Sequence, residues 1–157
     1  MKGDSFLARG REMPKSHSIE KTPRVEDYLE AVHHLISEKG YASTSDISAR
    51  LAVTPPTVSI MVGRLAEMGL LQRERYRGMR LTDSGERLAR SVIRRHEVIA
   101  EFLAMLGVNG DVAYEDTEGI EHYVQAETLH KLQRMAEYFR KNPGELKALR
   151  KFIGAED

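Results

Sequence analysis

The stretch of residues 43–82 constrains the fold of this chain more than any other. Two short segments with the apolar period of helices, residues 43–53 and 54–69, follow one another across a tight turn. The apolar spacing then shortens, and two short runs flank Arg77–Gly78, where glycine allows the positive φ of a hairpin turn. Two short helices and a small hairpin, in this order, are the parts of a winged helix-turn-helix, a unit typical of DNA-binding proteins.

The second short helix and the hairpin carry the side chains expected to contact DNA. With Val58, Val62 and Leu65 facing inward, the opposite face of the helix bears small and hydroxylated residues, which suit the major groove. The arginines of the hairpin suit phosphates or the minor groove. The expected DNA contacts are Thr54, Pro55, Pro56, Thr57, Ser59, Ile60, Arg64, Arg75, Arg77 and Arg80. Because Arg64 is the one long donor on the helix, base reading is expected to rest largely on apolar contacts, short hydroxyls and DNA shape.

The distribution of charge agrees with a polyanionic partner for this half of the chain. The 157 residues have no net charge, but residues 1–96 hold 17 of the 24 lysines and arginines and only 12 of the 24 aspartates and glutamates. Residues 97–157 carry the matching negative excess. A solvated arginine face on an ordinary helical hairpin is the alternative, and the agreement of turn, hairpin and charge favours DNA binding.

Helical periodicity and capping residues predict the remaining elements. Helices are expected over residues 22–40, 82–107, 110–124 and 126–142, and a short helix is expected after Pro143. At the start of the long helix, Asp83 and Glu86 have the spacing of a capping box. An apolar stripe on the last third of the chain suits a partner subunit. Its members are Ile120, Val124, Leu129, Leu132, Met135 and Phe139.

Acidic and histidine side chains recur on three of the predicted helices. The candidate metal ligands are Asp27 and Glu30 on the first helix, His96 on the long helix, and Glu118, Glu121 and His122 on the helix that follows it. Residues three or four positions apart share one face of a helix. Four carboxylates brought together repel one another and lose solvation, and a divalent cation reverses that cost. Taken singly, the same residues are better explained as surface acids and a core histidine.

The donor set of this cluster indicates the kind of ion. It contains oxygen and nitrogen but no sulfur, which favours Mn²⁺ or Fe²⁺ over softer ions. Six donors with bridging carboxylates could hold two ions as readily as one.

Four stretches of the chain resemble the diphtheria-toxin-repressor (DtxR) family, in its manganese transport regulator (MntR) branch. They are VEDYLEAVHHLISEKGYASTSDISARLAVTPPTVSIMVGRLAEMGLL, YRGMRLTDSGE, RRHEVIAEFLAMLGV and DTEGIEHYV, all within residues 23–140. The resemblance implies a metal-activated, dimeric winged-helix repressor of metal-uptake genes. By family role, it implies that the six candidate ligands hold two manganese ions in each subunit.

Two positions separate the branches of that family. Iron regulators carry methionine in place of Asp27 and cysteine in place of Glu118, so oxygen at both positions implies manganese, with Fe²⁺ as the alternative. The longer iron regulators also have an SH3-like third domain, which this chain is expected to lack. Tyr123 departs from close relatives, which often have a second histidine there, but that position is not a primary ligand in the family.

These patterns predict a mainly α protein with two domains. The expected divisions are a disordered tail over residues 1–21, a winged helix-turn-helix domain over 22–82, and a helical metal-binding and dimerisation domain over 83–157, with the helix over 83–106 as connector. A homodimer is expected, because a helix-turn-helix that reads a palindromic operator on double-stranded DNA works as a pair. No apolar run approaches the ~20 residues of a membrane helix, and the absence of cysteine agrees with a cytoplasmic location.

Two other functions are open to a chain with these patterns. Glu30-x-x-His33 and Glu127-x-x-His130 have the spacing of ligands in di-iron carboxylate enzymes. Those enzymes use a bundle of four long helices, which two short helices and a hairpin interrupt here. A winged-helix regulator that senses an organic ligand needs an apolar pocket instead. The chain has neither a nucleophile motif nor a phosphate-binding glycine loop, so it is not expected to be an enzyme.

Replacing Asp27 by methionine is expected to shift the metal response from Mn²⁺ toward Fe²⁺, because the change introduces the soft sulfur that iron regulators carry at this position. The measurement is metal-dependent binding to DNA with each ion, for the parent protein and the variant. An unchanged preference between the two ions contradicts the selectivity argument.

Overall fold

The computed structural model describes residues 23–74 and 78–155, which form seven helices and one hairpin. The elements are α1 Pro23–Lys39, α2 Thr44–Leu51, α3 Pro55–Glu67, β1 Leu71–Glu74, β2 Gly78–Leu81, α4 Asp83–Met105, α5 Gly110–Ile120, α6 Ala126–Lys141 and α7 Pro143–Ile153. The predicted mainly α fold, with a helix-turn-helix and hairpin ahead of a helical half, is confirmed. The predicted tail over residues 1–21 and two predicted DNA contacts, Arg75 and Arg77, lie outside the described residues.

The first three helices and the hairpin close around one apolar core. Fully buried side chains come from α1, α2 and α3 and from the start of the hairpin: Val25, Leu29, Val32, Ile47, Val58, Val62, Leu65 and Leu70. Each large apolar side chain removed from water stabilises a fold by about 1.5–3 kcal/mol. This core therefore holds α1 and α3 in one packed unit.

Capping residues set the ends of the short helix α2. The Ser43 hydroxyl oxygen accepts a hydrogen bond from the backbone N–H of Asp46, and the Asp46 carboxylate accepts one from the backbone N–H of Ser43. The helix is closed by Ala52, whose φ of 52° is left-handed. Pro55 then begins α3, because the fixed φ of proline suits the first position of a helix. The turn between the two helices is thus defined by local signals at both of its ends.

The hairpin is anchored to the loop between α1 and α2. The two strands pair antiparallel with Leu71 opposite Leu81, and the Met79 N–H donates to the Ala42 carbonyl at 3.0 Å. Gly78 has a φ of 80°, and a Cβ atom there would lie 2.4 Å from the Ala42 oxygen, so this position requires glycine. The hairpin and the helix-turn-helix therefore form one continuous unit.

The start of α4 differs from the capping box predicted for Asp83 and Glu86. Thr82 is the N-cap, and its hydroxyl oxygen accepts from the Gly85 N–H at 3.1 Å. With Thr82 in that role, Glu86 stands one position too far along the helix to close a capping box. Its carboxylate instead contacts His33 of α1, with 3.1 Å between Oε2 and Nδ1.

The long helix α4 joins the two halves of the described chain. It packs against α1, α5 and α6. Its 23 residues bury Leu88, Val92 and Ile99 among others, so its buried face extends along most of its length. No helix within the described residues is long and apolar enough to cross a membrane.

The helical half has few buried side chains and a broad apolar surface. In α5 and α6 the buried residues are Ala113, Thr117 and Ala136. Large apolar side chains are exposed on this half: Val112, Tyr114, Ile120, Tyr123, Met135, Tyr138, Phe152 and Ile153. Of the stripe predicted to face a partner subunit, Ile120 and Met135 are exposed and the other four members are partly buried. These side chains are available for contact with a partner protein.

Gly85→Ala is expected to destabilise the protein by about 1–3 kcal/mol, the usual cost of overpacking. A Cβ atom at Gly85 would lie 1.9 Å from the Leu70 carbonyl oxygen, so the backbone has to move where α4 meets the loop after α3. Gly63→Ala is the matched control, because a Cβ atom there meets nothing within 4 Å and alanine favours a helix by up to about 1 kcal/mol. Chemical denaturation measures both variants, and equal free energies of unfolding for the two contradict the expectation.

Candidate metal centre

The carboxylates of α1 lie on a flank of that helix beside its buried face. Val25 and Leu29 point into the core, which leaves Asp27 and Glu30 partly buried next to them. Both acids line a cavity of about 370 Å³ that also takes in Glu118 of α5. The core that fixes α1 therefore also fixes two candidate ligands opposite α5.

His96 of α4 meets two carboxylates at the end of the next helix. Its Nδ1 atom is 2.8 Å from Glu121 Oε2 and 3.3 Å from Glu118 Oε1. One ligand atom from each of the three residues lies within 4.8 Å of the other two. His96 stands between the buried side chains of Val92 and Ile99 along α4. Its side chain therefore lies beside the buried face of α4.

His122 extends this cluster to the first helix. Its Nε2 atom lies 3.2 Å from Asp27 Oδ1 and 3.6 Å from Glu121 Oε1. Glu121 is thus close to both histidines, through one carboxylate oxygen each. Candidate ligands from α1, α4 and the end of α5 form one connected group.

The ligands of α5 converge in a different way from that expected. This helix ends at Ile120 rather than at residue 124, and Glu121 is its C-cap. Glu118 and Glu121 turn to His96, whereas His122 stands in the following turn and contacts α1. The three side chains therefore meet through the end of the helix and its turn, not along one helical face.

The acids of this group lack full compensation for their burial. Glu121 is 1% exposed; burial raises its pKa above the ordinary 4.5, and the nearby charge of His96 opposes that rise. The charges of Glu118 and Glu30 raise the pKa of Glu121 further. Burial also raises the pKa of Asp27; the charge of His122 opposes that rise, and the charge of Glu30 adds to it. Each raised pKa indicates that the ionised carboxylate needs more positive charge nearby.

The group fits a divalent cation. Carboxylate oxygens and imidazole nitrogens without sulfur are the ligands that Mn²⁺ and Fe²⁺ take in proteins. The C-terminal end of α5 adds a partial negative charge from its last carbonyl groups, which also favours a cation. A cation beside Glu121 offsets both the burial of that carboxylate and its repulsion by Glu30 and Glu118.

The Glu-x-x-His pairs that suggested a di-iron enzyme do not form such a group. His33 contacts Glu86 at 3.1 Å, and Glu127 and His130 are both exposed on α6. Among the residues that the structure describes, three histidine or carboxylate ligand atoms lie close enough together to share an ion around His96 only.

Two residues of the site were missed by reasoning from the sequence, namely Glu26 and Arg95. Glu26 Oε2 accepts a hydrogen bond from Arg95 Nη2 at 2.6 Å and another from His122 Nδ1 at 2.7 Å. Each missed residue directly precedes a candidate ligand, Asp27 or His96. Consecutive helical positions point about 100° apart, so helical spacing gave no reason to add them to the cluster.

The predicted DNA contacts of α3 lie on the outer surface of the first half. Exposed residues at its start and along its outer face are Thr54, Pro55, Pro56, Thr57, Ser59, Ile60 and Arg64. Ile60 is 76% exposed, an unusual position for an isoleucine outside an interface. On β2, Arg80 is exposed and lies 3.1 Å from Glu74.

Comparison with protein families identifies both halves of the chain. The family described as "Iron dependent repressor, N-terminal DNA binding domain" matches residues 20–79. The family described as "Iron dependent repressor, metal binding and dimerisation domain" matches residues 82–150. The HTH-type transcriptional regulator MntR of Lysinibacillus sphaericus is 40% identical over 128 residues, which cover 82% of this chain and 92% of that protein. The MntR of Bacillus subtilis is 39% identical over 129 residues, covering 82% and 91%.

Solved structures of metal-responsive regulators share this fold. The manganese regulator SloR superposes with a TM-score of 0.66 at 32% identity, covering 74% of this chain and 55% of that one. The IdeR of T. acidophilum superposes with a TM-score of 0.62 at 31% identity, covering 70% and 52%. The chain therefore matches about half the length of these two structures.

Glu121→Gln is expected to stabilise the metal-free protein near neutral pH. A carboxyl group whose folded pKa is raised binds its proton more tightly in the folded state. The stability it contributes is therefore present below about pH 4.5 and lost as the pH rises through the folded pKa. Glutamine keeps a hydrogen-bonding group without this ionisation, so the fall of stability with pH becomes weaker. Urea unfolding in the presence of a chelator, over a series of pH values, measures the difference.

Glu115→Gln is the matched control for that experiment. It removes the same charge at an exposed position of the same helix, and it is expected to change the free energy of unfolding by less than about 0.5 kcal/mol. The expectation is contradicted if the free energy of unfolding changes with pH in the same way for the parent protein and for Glu121→Gln.

Proposed function

We propose that this chain, which belongs to the iron-dependent repressor family, is a transcriptional repressor that manganese activates. Membership of the family makes it a metal-dependent regulator that binds DNA through its first half and dimerises through its second. The observation that carries the choice of site is the position of Glu121. This buried carboxylate lies beside a histidine of α4 and beside a second histidine that reaches an acid of α1.

Six residues are proposed as the metal ligands: Asp27, Glu30, His96, Glu118, Glu121 and His122. The contacts of His96 with two carboxylates and of His122 with Asp27 support this set. Glu30 is included because it shares a cavity with Asp27 and Glu118. Six donors suffice for two ions in each subunit, and Glu121 is suited to stand between them because it lies close to both histidines.

Manganese is the ion favoured by the donor set. Oxygen at Asp27 and Glu118, where softer sulfur ligands select later transition metals, suits Mn²⁺. The similarity to proteins named MntR and to the manganese regulator SloR supports the same choice. Fe²⁺ takes similar ligands and is the alternative ion.

A bound ion would supply the positive charge that allows the carboxylates of α1 and α5 to approach one another. Without it, the charges of Glu30 and Glu118 both oppose ionisation of the buried Glu121. Because α1 and α3 share one core, holding α1 against α5 also holds α3 relative to the helical half. Metal binding is proposed to favour one spacing of the two α3 helices in a dimer, and this spacing has to match DNA.

The proposed DNA surface is the outer face of α3 together with the arginines of the hairpin. The residues are Thr54, Pro55, Pro56, Thr57, Ser59, Ile60, Arg64, Arg75, Arg77 and Arg80. Exposure of the α3 members supports the assignment. A homodimer is proposed to bind a palindromic operator near metal-uptake genes, with domains over residues 22–82 and 83–157.

Mn²⁺ is expected to raise the affinity of the protein for operator DNA by about 5–150-fold, the range of typical allosteric couplings. Isothermal titration into DNA from upstream of the protein's own gene, with Mn²⁺ or with a chelator, measures the difference. His96→Ala is expected to abolish it, because this change removes the imidazole that contacts both Glu118 and Glu121.

His130→Ala is the matched control, because His130 is an exposed histidine of α6 outside the cluster. This variant is expected to respond to Mn²⁺ as the parent does. Equal DNA affinities of the parent with and without Mn²⁺ contradict the proposal. A response to Fe²⁺ but not to Mn²⁺ contradicts only the choice of ion.

A further inference from the structure

We propose that Glu26 is a positioning residue of the metal centre, which fixes a proton on Nδ1 of His122 and leaves Nε2 directed toward the ion. This inference rests on the proposed function, because it assigns His122 as a ligand. It adds a residue that does not itself bind the metal but decides which nitrogen of His122 can do so.

Glu26 is buried at the point where three elements meet. It lies on α1 and is only 4% exposed. Its Oε2 atom is 2.6 Å from Nη2 of Arg95 on α4 and 2.7 Å from Nδ1 of His122 in the turn after α5. The contact with His122 joins residues 96 positions apart in the chain. It is therefore made by tertiary packing and not by local spacing.

The contact decides which ring nitrogen of His122 is available. A carboxylate oxygen accepts hydrogen bonds and does not donate them, so Nδ1 of His122 has to carry the hydrogen in this pair. The opposite nitrogen, Nε2, faces Asp27 Oδ1 at 3.2 Å and Glu121 Oε1 at 3.6 Å. An imidazole binds metal through a nitrogen without a proton, and a carboxylate partner on its other nitrogen orients the ring.

Arg95 holds Glu26 in this role. A buried carboxylate is costly unless it is paired, and the guanidinium of Arg95 is always charged and donates to the oxygen that also accepts from His122. One oxygen of Glu26 therefore accepts from both Arg95 and Nδ1 of His122. The neighbouring acid, Asp27, faces the other ring nitrogen, with its Oδ1 near Nε2 of His122. The two adjacent acids of α1 thus contact opposite nitrogens of one ring.

The first test measures the protons of the His122 ring in the metal-free parent protein. Long-range ¹H–¹⁵N correlation spectra distinguish a protonated from an unprotonated ring nitrogen. A protonated Nδ1 is expected, in either the neutral or the charged ring. An unprotonated Nδ1 overturns the proposal, whether or not the protein binds manganese.

Two substitutions test separately the hydrogen-bond-accepting oxygen of Glu26 and its negative charge. Glu26→Met removes the accepting oxygen but keeps a side chain of similar length. The proton of the His122 ring is then expected to lose its preference for Nδ1. Mn²⁺ binding is expected to weaken by about 10–100-fold, the usual effect of removing a hydrogen-bonding partner of a metal ligand. Glu26→Gln keeps an accepting oxygen and is expected to retain a protonated Nδ1 and most of the affinity. Electron paramagnetic resonance of free Mn²⁺ during titration measures the affinities.

Glu86→Gln is the matched control, because Glu86 also joins α4 to a histidine of α1 but through His33, away from the cluster. Its Mn²⁺ affinity is expected to equal that of the parent. A folded Glu26→Met protein with the parent's affinity overturns the proposal. So does a Glu26→Gln protein that loses affinity while Nδ1 stays protonated, because the effect then belongs to the charge.

The outcomes also separate this inference from the proposed function. A parent protein that binds no Mn²⁺ contradicts the proposed function, while the ring protons of His122 still decide the role of Glu26. If Glu26→Met does not fold, the spectra of the parent and of Glu26→Gln decide it.

Discussion

The burial of carboxylates where α1, α4 and α5 meet is the constraint on which the connection between the two halves depends. Glu26 and Glu121 are both almost wholly removed from water, and buried carboxylates are stable only when positive charge accompanies them. Glu26 has the guanidinium of Arg95 for this purpose. Among the described residues, Glu121 has the imidazole of His96 as its one hydrogen-bonding partner of opposite charge, and its pKa stays raised. The charge of Glu26 is thus balanced by a neighbouring positive charge, whereas the charge of Glu121 is not fully balanced. A cation fits beside Glu121.

The two halves differ in how they are held together. The first half has a continuous apolar core that fixes α1, α3 and the hairpin as one unit. In the second half, α5 and α6 bury small side chains and leave aromatic and aliphatic ones exposed, and Phe152 of α7 is 87% exposed. Residues 82–150 match a family described as a metal binding and dimerisation domain. The half with the exposed apolar side chains is therefore the half to which the family assigns dimerisation.

Local signals in the sequence predicted most of the fold. Apolar spacing and capping residues placed α1, α3 and α4 within two residues of their observed ends, because core-facing positions and N-caps act over a few residues. The convergence of the ligands depends on tertiary packing, and family resemblance supplied it where spacing could not. Glu26 shows what sequence patterns cannot predict. It points away from Asp27 on the helix, and the two acids belong to one site because each contacts a different nitrogen of the His122 ring. No pattern along the chain records that arrangement.

The length of α4 means that a small tilt at the candidate ligand His96 corresponds to a larger displacement at the far end of the helix. His96 is thirteen residues beyond the start of this helix at Asp83, a distance of about 20 Å at 1.5 Å per residue. A tilt of about 5° with its fulcrum at His96 displaces the far end, next to the hairpin, by about 2 Å. The helix is in effect a lever arm. With the proposed ion at His96, a difference in ionic radius well below an ångström would be magnified along this helix toward its end beside the hairpin.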